Sequence, residues 1–134
     1  MYAIGCLYLI GEFNNGLEIS RHDFSHIEDQ ALFKANLLRL NALFCERLYV
    51  QSSSFHYLRM ALDATKKALT LFSNEKWNVD SSVHGIAVSH FQLGHIQRLI
   101  YEHTKDENYK VEAVLNLKQA FLEFKKINHF LGKF

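Results

Sequence analysis

The sequence predicts a mainly α protein of four long antiparallel helices, arranged as two helical hairpins behind a short N-terminal segment. Three observations carry this expectation. Apolar residues recur at three- and four-residue steps over most of the chain, proline is absent, and segments repeat at a spacing of 52 to 53 residues. Apolar steps of that size line one side of a helix. Without proline, no residue inside a helix lacks its N–H or clashes with the preceding turn.

The first 24 residues fit two readings. Gly5 and Gly11 each weaken a helix by about 1 kcal/mol relative to Ala. Asn15-Gly16 is the preferred two-residue turn of a β-hairpin, with Leu7 to Phe13 before it and Leu17 to Arg21 after it. A helix over Tyr2 to Phe13 followed by a turn is the rival, since short apolar runs suit both. The Asn-Gly pair favours the hairpin.

From residue 25 the pattern is helical. Ser25-His26-Ile27-Glu28 has the form of a capping box, a hydroxyl followed three residues later by a carboxylate. Behind it run Ala31, Leu32, Ala35, Leu38, Ala42, Cys45 and Leu48, until Gln51-Ser52-Ser53-Ser54 breaks the pattern. A second helix over Phe55 to Phe72 carries Leu58, Ala61, Leu62, Thr65, Ala68, Leu69 and Phe72 on its inner side. Ser73-Asn74-Glu75-Lys76 loosens the chain before Trp77. Asp80 or Ser81 then caps a third helix reaching His103, with Ile86, Leu93, Ile96 and Ile100 inward. Thr104-Lys105-Asp106-Glu107 repeats the capping-box form. The fourth helix places Val114, Leu117, Phe121, Phe124 and Leu131 on one face and stops at Gly132. One domain over 1–134 results, with an N-terminal segment (1–24), a first hairpin (25–73) and a second (78–131).

Composition narrows the function classes. A chain of 134 residues, 49% hydrophobic and 22% charged, can bury a core without disulfides or a structural metal. Its net charge is +1 with no run of like charges, whereas a nucleic-acid surface needs clustered Lys and Arg to displace counterions. No nucleic-acid partner is expected. Cys6 and Cys45 stand far apart with no C-x-x-C, which fits a reducing compartment. The apolar run Ala3 to Ile10 is too short to span a bilayer and lacks the features of a secretory leader. A cytoplasmic protein with no membrane partner is the expectation.

The internal repeat is the most informative feature. At an offset of 52, Tyr57 falls on Tyr109, Ala61 on Ala113, Lys66 on Lys118, Ala68 on Ala120 and Phe72 on Phe124. At 53, Leu40-Asn41 falls on Leu93-Gly94, and Phe24 on Trp77. Small residues two turns apart on one stripe let a neighbouring helix approach closely. In this arrangement the chain resembles the tetratricopeptide (TPR) family. Leu93-Gly94, Ala113, Leu117 and Ala120 occupy the family's positions in the second copy, and Asn41, Ala61, Thr65 and Ala68 do so in the first. The match is to a degenerate TPR-like repeat with an extended period. That period exceeds the family's usual 34 residues, the terminal proline is missing, and Asn41 stands where glycine is usual.

The resemblance implies a protein or peptide partner held in a groove lined by the first helix of each hairpin. The matching positions are Ala35, Leu38 and Ala42 in the first copy, and Phe91, Gln92, His95 and Arg98 in the second. The apolar members also suit a closed core, so Gln92, His95 and Arg98 are the candidate protein-binding residues. Two copies are fewer than the three that usually stand alone. Either the N-terminal segment caps the stack or two chains associate as a homo-oligomer.

Chemistry is otherwise sparse. His22 and His26 are four apart in a segment of uncertain type, and His90 and His95 are five apart and point different ways on a helix. No H-E-x-x-H, P-loop, dinucleotide fingerprint or nucleophile elbow occurs, so no metal, cofactor or catalytic residue is expected and the chain reads as non-enzymatic. One alternative competes. His84-Gly85-Ile86 through Leu93-Gly94 resembles the phospho-accepting helix of histidine phosphotransfer domains, which implies phosphoryl transfer through His84. Ala87 and Val88 depart from that family's Lys and Gly. Cys45 sits on a helical stripe as a small hydrophobe, and Lys125 and Lys126 complement a helix C-terminus.

Overall fold

The computed structural model describes residues 11–20, 30–74 and 79–131. They form five helices: α1 (Phe13–Ser20), α2 (Gln30–Ser52), α3 (Phe55–Asn74), α4 (Val79–Thr104) and α5 (Glu107–Leu131). No strand occurs among the described residues. The Ser25–Glu28 capping box, Trp77 and the Gly132 stop lie outside them, as do Cys6, His22 and His26.

The expected N-terminal β-hairpin is corrected. Asn15 and Gly16, its intended turn, lie inside α1, and the Gly16 N–H donates to the Glu12 carbonyl at 3.0 Å as a helix requires. Most of the rival helix over Tyr2 to Phe13 lies outside the described residues; at its end, Gly11 (φ 83°) turns the chain and Phe13 begins α1. Gly16 serves packing here. A Cβ at this position would sit 2.2 Å from the Phe44 ring, which is fully buried. With Leu17 buried and Phe13 tilted against Phe44 at 6.4 Å, α1 closes over α2.

Two tight turns make the hairpins, and they are built alike. Ser53 (φ 58°) and Lys105 (φ 61°) occupy the left-handed region that commonly ends a helix. Each donates its N–H 2.7 Å to the carbonyl four residues back, on Tyr49 and Tyr101. The preceding hydroxyls match also. Ser52 Oγ donates to the Leu48 carbonyl and accepts from the Ser54 N–H, and Thr104 Oγ1 does the same with Ile100 and Asp106. Thr104 thus ends α4. The cap of α5 is Asp106, whose Oδ1 accepts from the Asn108 N–H at 3.0 Å, two residues later than the capping-box form predicts.

Among the described helices, each packs on its neighbours in the chain, α2 meets α4 over a narrow strip, and α5 meets only α4. Of these helices, α5 makes no contact with α2 or α3. α3 has a clean inner face, with Leu58, Ala61, Ala64, Thr65, Ala68 and Phe72 buried. The main core joins Leu58, Ala61 and Ala64 to Phe44, Cys45 and Leu48 of α2 and Ile96 and Ile100 of α4, while Ala68 and Phe72 form a second cluster with Ala35 of α2.

The α4–α5 contact uses close approach and a polar chain. A Cβ on Gly94 would meet Leu117 at 2.8 Å and the Ala113 carbonyl at 3.1 Å, so the glycine sets that spacing, with Ala113 and Ala120 buried beside it. Asn116 Oδ1 accepts from His90 Nδ1–H at 2.9 Å. Its Nδ2 donates to Gln97 Oε1 at 2.7 Å and the Glu112 carbonyl at 3.1 Å, while Gln97 Nε2 donates to Glu112 Oε2 at 2.9 Å. Replacing Asn116 with Ala leaves Gln97 Oε1 unpaired in a residue only 2% exposed, at a cost of about 2 kcal/mol. Urea unfolding should show that loss for Asn116→Ala, and a loss no larger than that of an exposed control such as Lys126→Ala would mean the chain of bonds is not structural.

On α5 the inner face differs from the expected one. Ala113 and Ala120 face inward, while Val114 and Phe121 are 44% and 67% exposed. The helix carries apolar residues on both sides: Leu117 packs against Gly94 beside the alanines, while Val111, Val114, Leu115, Phe121 and Leu122 face out.

Candidate functional site

The narrow α2–α4 contact leaves a groove of about 450 Å³ between these helices. Its α2 wall is Arg39, Leu43, Glu46, Arg47 and Val50, successive positions on one helical face. Its α4 wall is Val88, Phe91, Gln92, His95 and Leu99. The rim is apolar and open, with Val50 65% and Phe91 56% exposed.

The floor is polar and incompletely bonded. Gln92 is 4% exposed, and its Nε2 donates to the Arg39 carbonyl at 3.0 Å, across a sequence separation of 53. That bond ties α2 to α4 at the groove, yet Gln92 Oε1 has no partner. Arg39 Nε and Glu46 Oε1 are likewise buried without a hydrogen bond. His95 Nε2 stands 3.5 Å from Glu46 Oε1, an ion-pair distance that lacks hydrogen-bond geometry.

Burial sets the charge states. It raises the Glu46 carboxyl to about 7 against the opposing pull of the Arg47 cation, so near neutral pH this group exchanges between acid and carboxylate. Burial also lowers the Arg39 guanidinium from its ordinary value. His95 is lowered, first by burial and then by the Arg98 cation, with Glu102 opposing. The Arg98 guanidinium lies 3.4 Å from His95 Nδ1, which as an acceptor places the imidazole proton on Nε2, towards Glu46.

The sequence-predicted residues separate here. Gln92 and His95 line the groove with Phe91. Arg98 is exposed outside it, 3.6 Å from Glu102. Ala35 and Ala42 are wholly buried, and Leu38 packs partly buried against the core, so these belong to the interior. The α2 wall lies one residue further round the helix, at Arg39 and Glu46. The Arg39-Leu43-Glu46-Arg47-Val50 stripe at steps of four, three, one and three is the signal that would have located it.

Elsewhere, His84 is exposed with its ring edge-on to Phe124 at 6.5 Å. No group of three or more His, Cys, Asp or Glu able to hold a metal occurs among the described residues. Cys45 is a buried thiol whose Sγ–H donates to Asn41 Oδ1 at 3.7 Å. No helix of the described residues is long and apolar enough to cross a membrane. Comparison with known proteins gives no matching family, no matching curated protein and no matching solved structure.

Proposed function

We propose that this chain is a non-enzymatic interaction module that takes a protein or peptide partner in the groove between α2 and α4. One observation supports this above all: Arg39 Nε, Glu46 Oε1 and Gln92 Oε1 are buried without a hydrogen bond and gathered at a single groove, where the ion-pair contact of Glu46 Oε1 among the described residues is His95 Nε2 at 3.5 Å. Native structures satisfy nearly all such atoms. A partner entering the groove supplies what they lack, an acceptor for Arg39 and donors for Gln92 and Glu46. Phe91 and Val50 at the rim supply the apolar contact that most interfaces place around such polar groups.

The TPR-like reading of the repeat agrees with this use, since it assigns the groove to the first helix of each hairpin. That reading names Gln92, His95 and Arg98 as partner contacts; the groove includes the first two and leaves Arg98 outside its lining. The floor recognises donors and acceptors together, so it suits a polypeptide segment better than a purely apolar one.

The test begins with affinity capture from the native cell and continues with the purified captured protein. Phe91→Ser with Val50→Ser changes two exposed rim residues and should weaken binding at least about tenfold, as loss of an interface anchor does. His95→Ala should weaken it less, and Arg98→Ala should leave it unchanged. Full affinity in the rim double variant removes the groove from the interaction.

A further inference from the structure

The outer side of α5 carries the largest uncovered apolar surface among the described residues. Val111, Val114, Leu115, Phe121 and Leu122 are each between 44% and 67% exposed. At three-, one-, six- and one-residue steps they share one side of the helix. The opposite side, at Ala113, Asn116 and Ala120, packs on α4. A helix apolar on both sides is the pattern of an interior helix, yet among the described helices α5 has α4 alone as a neighbour. The exposed stripe presents on the order of 500 Å² of apolar surface, at the upper end of what a monomer shows.

We infer that α5 pairs antiparallel with α5 of a second copy of this chain. The charges on the stripe select that occupant and its register. Glu107 and Lys125 lie on the same side, 18 residues apart, and both are exposed. Turning a second α5 about a two-fold axis level with Asn116 sets each Glu107 against the other copy's Lys125, at both ends at once. Val111 then faces Phe121 across the axis. A shallow hollow of about 450 Å³ framed by Val114, Leu117, Lys118, Phe121 and Leu122 receives Leu115, as a knob enters a hole. The symmetric arrangement is isologous and closes at two chains. With polar flanks added to the apolar stripe it approaches the roughly 800 Å² per partner of a stable interface. The inference is independent of the groove, which opens on α2 and α4.

Light scattering coupled to size-exclusion chromatography, run on the full chain over a dilution series, tests it. The wild type should give twice the 15.6 kDa chain mass at high concentration. Phe121→Glu changes an exposed side chain, so circular dichroism should stay native while association weakens at least about tenfold. Glu107→Lys and Lys125→Glu should each weaken it a few-fold, and the double variant, which restores opposite charges, should recover the wild-type value. A wild type that stays monomeric at every concentration overturns the pairing, as does a dimer indifferent to Phe121→Glu. Failure of the charge-swapped double variant to recover overturns the antiparallel register. A monomer whose capture of the groove partner is lost on Phe121→Glu assigns the stripe to that partner instead.

Discussion

Replacing Phe72 with Ala should destabilise the protein by about 3–5 kcal/mol, the range for losing a buried aromatic side chain. Phe72 is 2% exposed and forms a small cluster with Ala35 of α2 and Ala68 of its own helix. Its ring also fills the space where α4 has no side chain, because a Cβ on Gly85 would lie 2.4 Å from it. One ring thus holds three helices apart and together. Its neighbours Ala35 and Gly85 are too small to collapse into the void, which keeps the cost at the upper end. Typical total stabilities are about 5–15 kcal/mol, so the variant should be near unfolding in mild urea. Chemical denaturation followed by circular dichroism measures this. A loss below about 1 kcal/mol would mean that the ring does not join α2 to α4.

Glu46→Gln should have the next largest effect, and its sign depends on pH. The Glu46 carboxyl is raised from an ordinary 4.5 to about 7, chiefly by burial. Between those values the folded chain holds a proton that the unfolded chain releases. Stability therefore falls as pH rises from about 4.5 to about 7 and stays lower above that. At about 1.4 kcal/mol per unit, the cost at alkaline pH is about 3 kcal/mol. Glutamine keeps the shape of the side chain and cannot ionise. The variant should match the wild type near pH 5 and exceed it by about 3 kcal/mol near pH 8.5. His95 acts in the opposite sense, since its lowered pKa removes stability as pH falls below 6.5, but it is present in both proteins. An equal difference at the two pH values would show that the Glu46 carboxyl does not carry this dependence.

The helices from α2 onward were legible because they follow the rule that apolar periodicity encodes. Leu58, Ala61, Thr65, Ala68 and Phe72 face inward as their spacing requires, and Leu93, Ile96 and Ile100 do so on α4. Asn15-Gly16 misled because the pair has two uses. In isolation it favours a turn, but here Gly16 admits the Phe44 ring, a tertiary demand that no local pattern records. α5 misled for a different reason. With apolar residues on both sides, size suggested that Val114 and Phe121 were interior. The helix instead turns Ala113 and Ala120 to α4, with Gly94 making room for the Leu117 side chain between them.

The groove was half legible. Gln92 and His95 came from the repeat alignment, and the same alignment pairs Arg39 with Gln92, which are directly bonded. The α2 wall was missed because the small residues Ala35 and Ala42 match the family pattern, while the groove is formed by Arg39 and Glu46 beside them. Nothing in the sequence marks Glu46 as buried. Charged residues are seldom interior, and only the packing of α4 against α2 puts this one there.

The central claim is that the α2–α4 groove is where this chain meets its partner. Methyl NMR of the labelled chain titrated with the captured protein tests it most directly. The claim predicts shifts or broadening at Leu43, Val50, Val88 and Leu99, with Val111, Leu115 and Leu122 on α5 unmoved. Perturbation confined to α5, or spread evenly with the groove methyls unchanged, contradicts it.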